Sequence, residues 1–285
     1  VIHPKFGNFI ILGTVLLEAE VSAYSRPVDY NPCLECKLCV AACPVGAIKP
    51  DGAFDTASCY THNYREFMGG FADWAEQIAD AKSGHDLRTR VTQAEQVGMW
   101  QSLAFGPNYK AAYCVAVCPA GEDVIGPFLA DRGGFVGEVV KPLQQKEEPI
   151  YVVPGSDAEE HVSKRFPHKT LRRVRGNFLL DTIPQFLFGI RISFQRGQAA
   201  GLNAVYHFTF TGASTATATV TIRDQTIDVN DGLHGVPDCA ITADADTWCG
   251  FLRKERSIVW AIVRRRVKVK GPLKLLTAFG KCFPS

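Results

Sequence analysis

The sequence predicts an α+β chain built from two unlike modules, and three observations carry that reading. Seven of the ten cysteines lie between Cys33 and Cys118, and none occurs between Cys118 and Cys239. Beyond Asn177 the apolar side chains alternate with period two, as on half-buried strands, and from Trp248 they recur at steps of three and four, as on short helices. The charge also divides: residues 1–140 carry 10 basic and 16 acidic side chains, whereas residues 141–285 carry 21 and 13. With 285 residues, 46% hydrophobic and 21% charged, the chain has material for two cores and does not have the composition of a disordered or membrane protein. Its longest apolar run, Phe6 to Leu17, is broken by Gly7, Asn8, Gly13 and Thr14. That run is short of the roughly 20 residues that span a bilayer. No leader pattern of charged, apolar and cleavage regions precedes it, so a cytoplasmic location is expected.

The first module, residues 1–140, is defined by Cys33-x2-Cys36-x2-Cys39-x3-Cys43-Pro44. Three thiolates at three-residue steps let one loop wrap three corners of an iron–sulfur cube, and a fourth placed a helical turn on points toward a second cluster. Cys118, in Cys114-x3-Cys118-Pro119, supplies the distant ligand of the first cube. Structural zinc sites instead join two separate Cys-x2-Cys knuckles, and a disulfide framework needs an oxidising compartment that nothing here indicates. The pattern therefore reads as a [4Fe–4S] cluster on Cys33, Cys36, Cys39 and Cys118, with Cys43, Cys59 and Cys114 left for a second.

These motifs resemble the ferredoxin portion of epoxyqueuosine reductases and reductive dehalogenases. The likeness runs through HPKFGNFIILGTVLLEAEV, the Cys33 to Pro44 run, Gly46-Ala47-Ile48 and Asp55-x3-Cys59-Tyr60, and resumes from Cys114 to Pro119. It implies two [4Fe–4S] clusters serving a cobalamin held by a preceding domain, and a late motif with one cysteine more than this chain has. Ala111 stands where that cysteine would be. Three outcomes follow for the second site: a [3Fe–4S] cluster, a [4Fe–4S] cluster with an open or non-cysteine ligand, or no cluster. His62, three residues after Cys59, is the nearest alternative ligand. Between Cys59 and Cys114 a helical insertion is expected, with Phe67, Phe71, Trp74 and Ile78 as an apolar stripe packing as a lid over the clusters.

Residues 141–175 are rich in charge and contain Pro-Gly-Ser, which reads as an exposed connector. The second module, residues 176–285, opens with a helix. Strands are expected at Tyr206, Phe208, Phe210 and at Ala216, Ala218, Val220, Ile222, then past a turn at Asp224-Gln225. Ala204 to Gly212, Ala218 to Asp228, Cys239-Ala-Ile241 entering Asp244 to Trp248, and Val267 to Gly271 resemble the sterol carrier protein 2 family. That likeness implies an antiparallel sheet with helices over a hydrophobic tunnel for sterols or other lipids. Ala216 and Ala218 are too small to fill a layer between sheet and helices, so neighbouring aromatics or a ligand must do so. Candidate lining residues are Tyr206, Phe208, Phe210, Ala218, Val220, Trp248, Phe251 and Ile262.

Arg264, Arg265, Arg266, Lys268 and Lys270 form either a peripheral contact with an anionic membrane or a solvated edge strand guarded by lysines. Nucleic-acid binding is disfavoured because exposed aromatics do not interleave with the basic residues. Cys239, Cys249 and Cys282 read as small buried hydrophobes. No complete catalytic constellation is visible. The expected role is electron transfer joined to lipid binding, with a redox partner protein. The alternatives are a C-terminal portion or subunit of a cobalamin-dependent reductase, and a lipid carrier with a structural cluster.

Overall fold

The computed structural model describes residues 2–66, 68–106, 113–176 and 181–284. The first module is helical, with α1 (Cys33–Cys36), α2 (Leu38–Ala42), α3 (Thr56–Asn63), α4 (Met68–Asp80), α5 (Gly84–Arg90), α6 (Gln93–Phe105), α7 (Tyr113–Ala116), α8 (Glu122–Ala130), α9 (Arg132–Phe135) and α10 (Lys141–Gln145). Lys37 takes a left-handed φ of 52° between α1 and α2, the bend that lets the cysteine loop curl. An N-terminal hook closes over the late cysteine motif, with Glu122 N–H donating to Lys5 O at 3.0 Å. Gly7 makes that approach possible. Its φ is +63°, and a Cβ there would sit 1.6 Å from Ala120 O.

A parallel β–α–β unit follows, with β1 (Pro149–Val152), α11 (Asp157–Arg165) and β2 (Thr170–Arg173). This corrects the exposed connector expected over 141–175. Ile150, Tyr151, Val152, Ala158, Val162 and Phe166 are buried, and all but Tyr151 pack with Cys43, Val45 and Ala47 of the cysteine loop. One of the charges that suggested solvent, Lys169, is buried and partnered inside. Lys169 Nζ donates to Leu143 O, Lys146 O and Glu148 Oε1, and Tyr113 Oη donates to Glu148 Oε1 at 2.5 Å. Gly46 accommodates α11 directly, since a Cβ there would meet His161 Nδ1 at 2.6 Å.

The lid expected from the aromatic stripe is also corrected. Phe67 lies outside the described residues, while Phe71 and Ile78 are 44% and 43% exposed. Asp73 points inward instead, 2.6 Å from Arg65 Nη2, and both partners of that ion pair are buried. Separating such a pair leaves a buried charge uncompensated, so the pair fixes which face of α4 turns inward.

The second module contains α12 (Ile183–Ser193), β3 (Ala204–Thr211), β4 (Ala216–Arg223), β5 (Thr226–Asp231), β6 (Cys239–Asp244), α13 (Ala245–Leu252), α14 (Ile258–Val263), β7 (Val267–Lys270) and α15 (Leu273–Lys281). The sheet order is β5-β4-β3-β6-β7, antiparallel except for the parallel β3–β6 pair. Asp224 and Gln225, at φ 49° and 58°, make the tight β4–β5 turn. Strands and helices fall where the alternation and the three- and four-residue steps place them. Cys239, Cys249 and Cys282 are buried, as expected.

The modules meet at Gln195, which is 2% exposed. Its Nε2 donates to both Asp55 oxygens at 3.3 and 3.2 Å, its Oε1 accepts from Asp157 N–H at 2.9 Å, and its own N–H donates to Cys282 O at 2.9 Å. One side chain thus ties the N-cap of α3 to the start of α11, while its backbone holds the end of α15. Gln195→Leu keeps the volume but strands these groups, and it is expected to lower stability by about 1–3 kcal/mol. A shifted denaturant midpoint with unchanged secondary structure checks this; an unmoved midpoint refutes the bridging role.

Candidate functional site

All seven cysteines of the first module are unpaired thiols. Their electrostatic influence on one another joins cysteines from both stretches of chain. Burial raises the Cys118 thiol, and the neighbouring charges of Cys33, Cys36 and Cys114 raise it further. Cys39 is raised by burial and then by Cys36, Cys33 and Cys114. In the second neighbourhood, burial pushes the Cys59 thiol up to about 12, with Cys43 and Cys114 adding to it. Burial raises the Cys114 thiol and Cys43 raises it further, while Cys114 in turn raises Cys39 and Cys118. Among the described residues no three ligand side chains converge as they would on a single metal ion. The fit to an iron–sulfur cluster rests on the donor set: free thiols from two stretches of the first module, of which Cys39, Cys59, Cys114 and Cys118 are made costlier to ionise by burial unless a cation compensates. Ala47 N–H donates to Cys43 Sγ at 3.3 Å, the kind of hydrogen bond to sulfur that tunes a cluster.

His62 lies two percent exposed against β1, its Nδ1 accepting from Tyr151 N–H at 3.3 Å. That places one ring nitrogen in joining α3 to β1. Ala111 lies outside the described residues.

The cavity is where sequence and structure part. About 420 Å³ opens between the modules, a volume ordinary for a small-molecule site. Ala57, Ser58 and Thr61 of α3 form one wall, Val152 and Val153 another, and Phe186, Trp248, Phe251, Ile258 and Leu276 the wall from the second module. Of the eight expected lining residues, Trp248 and Phe251 are on this surface. Tyr206, Phe208, Phe210, Ala218 and Val220 are buried in the core, and Ile262 is half-buried against it. The register explains why. Ala218 and Ala216 pair with Phe208 and Phe210 across β3–β4, making room for rings rather than for a ligand. Phe186 and Trp248 close over them, with Phe186 5.8 Å from Phe208 and 5.4 Å from Trp248.

Sequence reasoning missed the α3 wall, Val152–Val153 and Gln195. Asp55 was a usable signal, because its side chain accepts from Ser58 N–H at 3.0 Å and fixes the start of the helix that carries Cys59. The run Pro149 to Val153 was another, a short apolar stretch among charges.

Residues 191–284 match the SCP-2 sterol transfer family, and residues 26–49 match the 4Fe-4S binding domain. The chain therefore joins a 4Fe–4S segment to an SCP2-like α+β domain. Comparison with curated proteins finds no match. Among solved structures, palmitated SCP2L2 from Aedes aegypti is 15% identical over 35% of this chain and 94% of its own, with a TM-score of 0.29. Apo sterol carrier protein 2 from Yarrowia lipolytica is 14% identical over 35% and 91%, with a TM-score of 0.30. The sec-alkylsulfatase Pisa1 from Pseudomonas sp. is 19% identical over 35% of this chain, at a TM-score of 0.33, and the match spans only 16% of the sulfatase.

Ala57 gives a direct test of the cavity, since a large side chain there fills it from the side of the first module. Ala57→Trp is expected to weaken binding of a fluorescent lipid by about tenfold or more, a loss of the order that overpacking brings. Equal affinity in fluorescence titrations of the two proteins would place the lipid elsewhere.

Proposed function

We propose that this chain is an electron-transfer protein that carries out redox chemistry on an apolar molecule held between its two modules. The observation that carries the reading is the double role of α3. The helix bears Cys59, while Ser58 and Thr61 on either side of that residue line the cavity. A ligand there lies about 10 Å, one helix width, from the second thiol group. That is within reach of single-step electron tunnelling. Clusters bound at the two groups would supply one-electron transfer, at potentials that span roughly −700 to +450 mV for such centres.

The residues set a direction. Cys33 is exposed beside exposed Leu34, which suits a docking redox partner. Cys43 is buried and Cys59 half-buried, packed against the apolar cluster that β1 and α11 contribute. With three thiols, the second group suits a [3Fe–4S] cluster or a [4Fe–4S] cluster with one non-cysteine position. Around α14, exposed Val259, Trp260 and Val263 adjoin exposed Arg264, Arg265 and Arg266, with Lys268 and Lys270 on the edge strand β7. An apolar face rimmed by cations suits an anionic lipid surface, and Ile258 of the same helix lines the cavity.

Pre-reduced protein provides the test. An apolar electron acceptor should reoxidise it at a rate that Ala57→Trp slows by about tenfold, in line with the weakened occupancy. A water-soluble acceptor should reoxidise both proteins alike. Equal rates with the apolar acceptor would remove the cavity from the electron path, and absorbance that fails to cycle reversibly would leave a lipid carrier with a structural cluster.

One observation favours a second reading, a part or subunit of a cobalamin-dependent reductase. Phe9, Ile11, Leu12, Val15, Leu16, Leu17 and Val21 are all at least half exposed on an arm without helix or strand. Exposed apolar stretches of this kind mark interaction sites. Mixed with a cobalamin-binding reductase domain, the arm should become protected from hydrogen exchange; an unchanged exchange pattern argues for the first reading.

A further inference from the structure

We infer that a second, smaller pocket, between β2 and the helices α4, α5 and α6, is a binding site for a phosphate group, with Arg65 at its inner end. The pocket is separate from the cavity between the modules. All its lining falls within residues 65–175, outside both stretches that match known families. Five arginines, Arg65, Arg90, Arg172, Arg173 and Arg175, line it against two carboxylates, Asp73 and Glu95. Three of those arginines belong to the basic end of the stretch whose composition suggested an exposed connector.

The carboxylates are already taken. Asp73 Oδ2 lies 2.6 Å from Arg65 Nη2, and Glu95 Oε2 accepts from Thr92 Oγ1 at 2.8 Å and Thr92 N–H at 3.0 Å, with Arg172 Nη2 3.7 Å away. The other three arginines are held by acids that stand outside the lining. Asp86 holds Arg90 through Nε and Nη2, Glu159 holds Arg173 through Nε, and Glu76 holds Arg175 through Nη1. A guanidinium carries five donors in a planar fork, so each anchor fixes one edge and leaves the rest without a protein acceptor among the described residues. Because the anchors balance the arginines, recognition comes from donors aimed at short range rather than from a net positive field.

Arg65 has the strongest demand for an acceptor. It is 6% exposed, its guanidinium lies 5.2 Å over the Tyr151 ring, and its Nη1 has no hydrogen-bond partner among the described residues. Tyr151 and Asp73 also line the pocket, which places the fork between them at its wall. A buried cationic donor left unpaired is costly, and an anion entering the pocket supplies the missing acceptor.

Size and direction narrow the anion. About 150 Å³ is half the roughly 300 Å³ at which sites for drug-sized molecules begin, so it takes one tetrahedral oxyanion and excludes a nucleoside or an acyl chain. The forks come from three parts of the chain: Arg65 between α3 and α4, Arg90 at the end of α5, and Arg172 with its neighbours on β2. A planar carboxylate offers two oxygens in one plane and suits one fork. A phosphate offers three oxygens and nearly two charges, and can meet all three directions. The group is inorganic phosphate or the terminal phosphate of an ester whose body stays outside, beside the partly exposed Arg90 and Arg172.

Calorimetric titration of the full chain at constant ionic strength, with inorganic phosphate, phenyl phosphate and acetate, tests this. Both phosphates should bind at least about tenfold more tightly than acetate, the worth of one further charge-assisted hydrogen bond. Phenyl phosphate binding as tightly as inorganic phosphate, or more so, assigns the group to an ester; weaker binding assigns it to the free ion. Arg65→Lys keeps a cation against Asp73 but loses the second edge of the fork, and should weaken phosphate by about tenfold. Arg172→Gln, at a partly exposed position, should weaken it by about three- to tenfold, and it decides the matter if Arg65→Lys alters the circular dichroism. Arg264→Gln, on the second module, should change nothing. Phosphate binding no tighter than acetate, parental affinity in the folded pocket variants, or an equal loss in Arg264→Gln overturns the assignment.

Discussion

The arrangement depends on one short helix being used on two sides. α3 is eight residues long and starts at Asp55, whose carboxylate caps it and receives Gln195 from the second module. One face delivers Cys59 to the cysteine neighbourhood, and another closes a cavity whose remaining walls are mostly apolar. A helix this short is marginal by itself, so its position comes from the groups that clamp it. Those clamps are the N-cap, the contact of His62 with Tyr151 N–H, and Gln195. Because they come from three separate stretches of chain, the wall of the cavity exists only when both modules are folded together.

How much of this was legible in the sequence depended on how local the determining chemistry is. The 4Fe–4S segment was legible because thiol spacing within a loop is a local constraint. The strands of the second module were legible because a sheet with one face buried writes its register as alternation. The connector was misread because a count of charges does not say where they point. Lys169 is buried, and its ammonium group makes three hydrogen bonds, two of them to carbonyl oxygens. The same holds for α4, where one buried Arg65–Asp73 pair outweighs a stripe of aromatic residues in deciding which face turns inward.

The site was half legible for a related reason. Small residues on a sheet announce space above them, and the sequence cannot say what fills it. Here Phe186 on α12 and Trp248 on α13 pack over Phe208 and Phe210, with every ring pair in this group centred within 6 Å. The sheet face is therefore solid, and the open volume moves outward, to the side where α12, α13 and α15 leave a gap that the first module covers. Trp248 and Phe251 were found because they belong to both the core and the wall. The residues of α3 could not be found by studying the second module at all.

A wall shared in this way couples two events that would be independent in separate proteins. Filling the cavity presses on Ser58 and Thr61, and these move with the backbone that holds Cys59. On the proposed reading, a cluster held by Cys59 that took up an electron would alter the charge behind a wall that has no ionic groups of its own among the described residues. Whatever free energy ligand binding contributes to stabilising one redox state, that redox state must return as tighter ligand binding, because coupling between two equilibria is reciprocal. The uncharged lining makes the exchange effective: with no side-chain charges in the cavity to screen it, a change at the thiolates is felt across a single helix in a low-dielectric setting. On that reading a neutral occupant would tolerate the added field, whereas an anion would be destabilised by each electron a cluster there took up.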